Sequence, residues 1–369
     1  MIYLDSAATS FLKPASVYAA VQKAMREAAS PGRGTHAAAA RAAELVYACR
    51  EEAASLFRMS DPSRVVFTFN ATHALNIAIR TLASRGARVL ISGYEHNAVT
   101  RPLRAVGADV SVFGRGLFDP AGLLRELSAQ IDGAELAVCT QVSNVFGYVL
   151  PLPEIAALCR EHGVPLIVDA SQGAGIMDLD MQALGAAFAA MPGHKGLFGP
   201  QGTGLLLCGR SAEPLLYGGT GGESLNPDMP AELPERLEAG TMNVAGIAGL
   251  LAGLRYVRSR GPEAIRRREE RLLRRTAERL SGAKGLRLYI DPAGEQAGIL
   301  SLSVEGMDSE TACERLGEAG IMARGGLHCA PLAHESSGTL REGTVRLSFS
   351  PFLGEAQAIL AAERIRKLF

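Results

Sequence analysis

No stretch of this 369-residue sequence reaches the roughly 18 consecutive apolar residues of a membrane-spanning helix. The N-terminus, Met1-Ile-Tyr-Leu-Asp5, has no basic segment followed by an apolar one. It runs straight into strand-like residues, so no export signal and a cytoplasmic location are expected. Net charge is missing too: Lys+Arg 38 balances Asp+Glu 38. No global field therefore draws the chain to nucleic acid or to an anionic membrane. The cysteines are Cys49, Cys139, Cys159, Cys208, Cys313 and Cys329, and no two form a C-x-x-C pair. That spacing argues against a zinc site or a thioredoxin-like motif, and no metal is expected. Without a secretion signal, a chain this long is not expected to rest on disulfides. Cys49, Cys139, Cys159 and Cys208 sit in apolar or helical surroundings and read as core thiols.

What is present reads as globular: 47% of residues are hydrophobic and 21% charged. The length suits one large domain with a smaller one. Short apolar runs at 64–69, 87–92, 136–140, 165–169, 186–190 and 203–208 alternate with helical patterns such as 153–162. That alternation predicts an α/β fold, a mainly parallel sheet with helices on both faces. Ligands in such sheets bind beyond the carboxyl ends of the strands. Composition changes near residue 256. A long helix is expected over 258–280, its charge run Arg266-Arg-Arg-Glu-Glu-Arg271 forming a solvated face. Strands at 286–290, 298–304 and 343–349, with helices at 308–319 and 354–368, predict a smaller α+β domain. The expected division is a large domain at 16–256 and a small one made of 1–15 and 257–369. The segment 217–243, rich in Gly, Pro and Glu, is a long loop of the kind that usually serves function.

The stretch Met191-Pro-Gly-His-Lys-Gly-Leu-Phe-Gly-Pro-Gln-Gly-Thr-Gly204 brackets one lysine, Lys195, with glycines. Upstream, the apolar strand in Leu166-Ile-Val-Asp-Ala-Ser-Gln172 ends on Asp169. A strand-end carboxylate followed by such a lysine is what a pyridoxal phosphate site needs. The lysine forms the Schiff base, and the carboxylate keeps the pyridine nitrogen protonated. Phe69-Asn-Ala-Thr-His-Ala-Leu-Asn76 follows a strand and opens a helix. Its free N–H groups and the Thr72 hydroxyl suit a phosphate, and an ordinary helix N-cap is the alternative. His96, in Gly93-Tyr-Glu-His-Asn-Ala98, could stack on the pyridine face or be a plain surface or core residue. Asn144, in Val142-Ser-Asn-Val-Phe-Gly147, could bond the ring oxygen or a substrate carboxylate, and Gln172 could reach the same oxygen. Ala323-Arg-Gly-Gly-Leu-His-Cys-Ala-Pro331 presents Cys329 on a glycine-rich loop beside a histidine. A thiolate nucleophile or a buried cysteine at a domain junction would both account for it. Arg346, inside an apolar strand, needs an anion: a substrate carboxylate or an internal Asp or Glu.

Together these residues resemble the cysteine desulfurases of the class V aminotransferase fold, in the branch that also holds selenocysteine lyases. The likeness runs over essentially the whole chain. It takes in Tyr3-Leu-Asp-Ser-Ala-Ala8, Arg33-Gly-Thr-His36, Glu95-His-Asn-Ala98, Val142-Ser-Asn-Val145, Val168-Asp-Ala-Ser-Gln172, Gly193-His-Lys195, Glu238-Ala-Gly-Thr-Met-Asn243, Arg324-Gly-Gly-Leu-His-Cys-Ala330 and Arg346. The resemblance implies a pyridoxal phosphate enzyme of the aspartate aminotransferase-like fold type I. It implies Lys195 as Schiff-base lysine and proton shuttle, His96 on the ring, Asp169 at the pyridine nitrogen and Gln172 at the ring oxygen. Thr72 and His194 would hold the phosphate, and Thr241 would reach the phosphate of the other subunit of a homodimer. Asn144, Arg346 and His36 would meet the substrate, and Cys329 would accept sulfur from L-cysteine before passing it to an acceptor protein. Two positions depart from the pattern: Ala71 stands where a hydroxyl residue is common, and Pro192 where many relatives bind phosphate through a serine. Proline offers neither a hydroxyl nor an N–H. Release of selenium from L-selenocysteine, ordinary transamination and a non-catalytic scaffold are the other readings the sequence allows.

Overall fold

A computed structural model describes residues 1–32, 34–222 and 224–369. The chain opens with β1 (Ile2–Tyr3) and two helices, α1 (Ala15–Glu27) and α2 (Ala37–Leu56). It then alternates through β2 (Val65–Thr68), α3 (Ala71–Leu82), β3 (Arg88–Ser92), α4 (Asn97–Val106), β4 (Asp109–Phe113) and α5 (Pro120–Gln130). There follow β5 (Leu136–Thr140), α6 (Leu152–Glu161), β6 (Leu166–Asp169), the short α7 (Met181–Leu184), β7 (Phe188–Pro192) and β8 (Gly204–Cys208). Strands β2 to β8 form one seven-stranded sheet of order β2-β8-β7-β6-β5-β3-β4. Only β8 is reversed, antiparallel to both β2 and β7. The remaining pairs are parallel.

The central strands are apolar throughout because both faces are covered. Side chains alternate across a strand. Leu90, Ala137, Cys139, Val168 and Leu205 therefore enter one hydrophobic core. Val89, Val138, Ile167 and Leu206 enter the other. All five central strands were expected at or near these positions. β7 lies two residues later than expected, because the apolar run continues through Met191 and Pro192 still pairs with Gly204. β4 was not expected: it is an edge strand whose Asp109 and Val110 are exposed.

The single helix expected at 258–280 is two helices, α8 (Val244–Arg260) and α9 (Pro262–Leu280). Gly261 between them has φ 79°, and Pro262 has no N–H to continue the helical ladder. α8 packs on α1 and α2, whereas α9 packs on α12 (Glu355–Leu368). The charge run is solvated only in part: Arg267 and Arg271 are exposed, Arg266–Glu270 and Arg267–Glu263 pair at i,i+4 spacing, and Glu269 is buried. Beyond it come β9 (Leu286–Tyr289), β10 (Ile299–Val304), α10 (Ser309–Glu318), β11 (Ile321–Met322), α11 (Pro331–Ser337) and β12 (Val345–Ser348). β12-β10-β9 form an antiparallel sheet, and β1 pairs in parallel with β11. Leu272, Leu300, Leu347 and Ile365 knit these elements into a third core. The described residues of 217–243 form the expected long loop, with a 3-10 turn at Glu235–Leu237. Cys49, Cys139, Cys159 and Cys208 are buried, as expected of core thiols, and Cys329 is exposed. Among the described residues no helix is long and apolar enough to cross a membrane.

Candidate active site

β5 and β6 end side by side, Thr140 opposite Asp169, and a cavity of about 520 Å³ opens beyond them. Ala71, Thr72, His96, Asn144, Asp169, Gln172, His194 and Lys195 all line it, as does Pro192. Asp169 is 3% exposed, and its Oδ1 accepts from the Ser171 N–H at 2.9 Å.

Lys195 follows β7 in a turn closed by the Gly199 N–H on the Gly193 carbonyl at 2.7 Å and by the Phe198 N–H on the Lys195 carbonyl at 2.9 Å. Gly196 has to be glycine there, since a Cβ would stand 2.4 Å from the Ala174 carbonyl oxygen. Burial brings the Lys195 amine down to about 8, against the pull of Asp169; Arg346 and Arg324 lower it further. An amine so depressed is a far better nucleophile at neutral pH than an ordinary lysine. His96 caps α4, its Nδ1 accepting from the Ala98 N–H at 3.0 Å. The ring proton therefore sits on Nε2. Burial lowers the pKa of His96, opposed by Asp169, and the ring stays neutral.

The N-terminus of α3 is an anion site in form. Asn70 Oδ1 accepts from the His73 N–H at 2.9 Å. The Ala71 and Thr72 N–H groups, in the first turn, have no intrahelical acceptor. His194 lies beside them, its Nδ1 3.1 Å from Thr9 Oγ1. Burial pushes its pKa down to about 4, with Lys195 and Lys13 adding to the effect.

Other expected residues have internal partners. Gln172 Nε2 donates to the Ala7 carbonyl at 3.0 Å, and Asn144 Nδ2 donates to the His328 carbonyl at 2.8 Å. Arg346 is 2% exposed. Its Nη1 donates to the Asn144 carbonyl at 3.0 Å and its Nη2 to Asp5 Oδ1 at 2.8 Å. An internal aspartate thus already faces this guanidinium. His36 does not line the cavity: it is exposed and caps α2, Nδ1 accepting from the Ala39 N–H at 3.3 Å. Arg33, of the same motif, lies outside the described residues. Thr241 is exposed and lines a separate cleft of about 680 Å³ with Phe69 and His73.

Cys329 stands on a loop tied to the cavity wall. The Asn97 N–H, next to His96, donates to the Cys329 carbonyl at 2.8 Å, and Asn144 holds the preceding carbonyl. Three contributors were not singled out from the sequence. Asp5 and Asn97 were visible only inside longer motifs. Glu95 is fully buried, and its Oε1 accepts from Ser92 Oγ and from the Thr140 N–H. Burial pushes it up to about 8, so it stands as a neutral acid beneath Asp169. Its only sequence signal was a carboxylate next to His96.

The aminotransferase class-V family pattern matches residues 2–357. The chain belongs to that family. A probable cysteine desulfurase of Methanothermobacter thermautotrophicus is 35% identical over 361 residues, spanning 92% of this chain and 89% of its own. A cysteine desulfurase of Salmonella agona is 32% identical, spanning 89% and 84% respectively. Among solved structures, the apo cysteine desulfurase of Thermococcus onnurineus matches with a TM-score of 0.90 at 30% identity, over 100% of this chain and 94% of that one. The Escherichia coli cysteine desulfurase CsdA in its S-sulfonic acid form matches with a TM-score of 0.87 at 27% identity, over 99% and 94%. Family and fold agree with the resemblance drawn from the sequence.

Proposed function

We propose that this class-V family member is a pyridoxal phosphate-dependent cysteine desulfurase that moves sulfur from L-cysteine to Cys329 and releases L-alanine. One observation carries the reading: the exposed Cys329 hangs on a loop bonded to the same wall that holds Lys195, Asp169 and His96.

The residues fit the cofactor. A buried carboxylate, a depressed amine, a neutral ring and a helix N-terminus with two free N–H groups share one cavity. Bound pyridoxal phosphate supplies an aldehyde for the amine and a ring that withdraws electrons from the substrate's α-carbon. Lys195 Nζ would hold it covalently, Asp169 would keep a proton on the ring nitrogen, and His96 would lie on its face. Thr72, His194 and the α3 N–H groups would hold the phosphate. Ala71 would give only its N–H, and Pro192 nothing.

Lys195 Nζ would take the proton from the substrate's α-carbon, which its lowered pKa favours. Arg346 and Asn144 would turn the substrate carboxylate away from Cys329. The Cys329 thiolate would attack the substrate sulfur. The Cβ–S bond breaks, an S–S bond forms, and the former Cβ gains a proton to become the methyl of alanine. L-Cysteine and a thiol thus give L-alanine and a persulfide, with no outside oxidant. A sulfur-acceptor protein would then take the outer sulfur from the exposed loop.

The reading also includes a homodimer in which Thr241 serves the partner's phosphate. Exposed Phe69, Leu216 and Tyr217 near the Thr241 cleft support it. We take 16–256 as the cofactor-bearing part, 1–15 with 257–369 as the smaller part, and the cytoplasm as the place of work. Alanine release from L-cysteine by cofactor-loaded protein, with Cys329→Ala alongside, tests the function. Release by the parent and little by the variant is expected. Equal release by both would remove the persulfide step.

A further inference from the structure

Beneath Cys329 lie two buried histidines that the chemistry above does not use. His328 is 5% exposed and His334 is fully buried. Their ring centroids are 5.6 Å apart. Each ring has one nitrogen with a partner and one without. His328 Nε2 sits 3.0 Å from the Thr344 carbonyl oxygen. A carbonyl only accepts, so Nε2 carries the proton and Nδ1 is a bare acceptor. His334 Nδ1 sits 2.7 Å from Thr339 Oγ1, the shorter of that hydroxyl's two contacts, the other being Ser337 Oγ at 3.0 Å. A proton on His334 Nε2 requires Thr339 Oγ1 to donate to Nδ1 and to accept from Ser337 Oγ.

His328 Nδ1 and His334 Nε2 are both buried and have no partner among the described residues. Burial keeps both rings neutral, His328 at about 2, where Arg346 and Arg324 also contribute, and His334 at about 4. With the His334 proton on Nε2, one orphaned nitrogen is an acceptor and the other a donor. A buried polar atom without a partner costs about 1–3 kcal/mol, so two complementary ones on facing rings favour each other.

The backbone above explains why the ring matters. His328 has φ 51° and Cys329 φ 57°, the left-handed region that residues other than glycine seldom enter. Such a turn persists only if its surroundings hold it. Asn144 and Asn97 hold its two carbonyls, and the His328 ring is its buried anchor.

We propose that His334 is a positioning residue for Cys329. It takes the Nε2–H tautomer and bonds to His328 Nδ1 across a gap closed by one water or a small ring rotation, and the locked His328 ring fixes the turn that aims the thiol. This rests on the reading of Cys329 as the sulfur acceptor.

The test uses full-length, cofactor-loaded protein with His334→Leu, His334→Gln and Thr339→Val. His334→Leu should lower kcat for alanine release about tenfold, with KM for L-cysteine and the cofactor's visible absorption unchanged. His334→Gln, which can still accept and donate, should recover most of that loss. Amide hydrogen exchange at 327–330 should quicken in His334→Leu and return towards the parent in His334→Gln. Parental kcat and parental exchange in His334→Leu would overturn the proposal, and so would a lower kcat with unchanged exchange. If the leucine variant does not fold, Thr339→Val faces the same criteria. The exchange measurement needs no turnover, so a parent that released no alanine would sink the desulfurase reading and leave the histidine coupling to be judged separately.

Discussion

Arg346 Nη2 lies 2.8 Å from Asp5 Oδ1, joining β12 to the segment after β1. The guanidinium is buried, and its Nε has no partner among the described residues. An incoming carboxylate would therefore share this arginine with Asp5 rather than meet a bare cation. Removing one member of a buried pair strands the other. Asp5→Ala should lower unfolding stability by about 2–4 kcal/mol, read as a shift in the urea midpoint. An unchanged midpoint would mean that Arg346 re-pairs.

Lys195→Ala should abolish the visible absorption of bound cofactor and leave nothing for borohydride to trap on the chain. Attack on an aldehyde needs the neutral amine, and this one titrates at about 8. Covalent capture of pyridoxal phosphate by parent protein should rise about tenfold per pH unit well below that value and level off above it. A flat profile would contradict the depressed amine.

Asp169→Ala should still bind cofactor through the α3 N-terminus, since the phosphate grip is elsewhere. Turnover should fall by about 100-fold or more, because a charge that stabilises the reacting ring is lost. Near-parental alanine release would show that the ring lies elsewhere.

Glu269, which shares a cavity with Lys195 and Gln172, offers a stability test. It is buried on α9 beside Gly298, and burial, with Glu270, raises its pKa from 4.5 to about 8. A raised carboxyl binds its proton more tightly in the folded state. Its contribution is whole below about 4.5 and is lost as pH rises through about 8. Glu269→Gln should remove that loss and gain about 2–4 kcal/mol on the parent between pH 5 and 8. Glu95 titrates in both proteins and cancels in the difference. Parallel melting-temperature profiles would refute the assignment.

Lys195 and Asp169 were legible because each announces itself locally, one among glycines and one at the end of an apolar strand. The central strands were legible because burial on both faces leaves an unbroken apolar run. Gly261-Pro262 was also local, yet the charge periodicity on both sides masked it. β4 was not legible: its exposed edge carries Asp109, and only pairing with β3 makes it a strand. Nor was the partner of Arg346, since an apolar strand around an arginine says that an anion is needed and not which one. His36 was read as a substrate contact, but locally it has the form of an N-cap before an alanine-rich helix.

β1 also sets an order of events in the cell. It precedes every other element described here, yet it pairs with β11, and Asp5 waits for an arginine 341 residues later. Contacts of such sequence separation form late and slowly. A nascent chain halted before β12 could assemble the seven-stranded sheet with Lys195 in place, but not the Asp5–Arg346 pair. The Asp5–Arg346 pair thus closes only after the large sheet can form, and β1 stays unpaired until β11 is made.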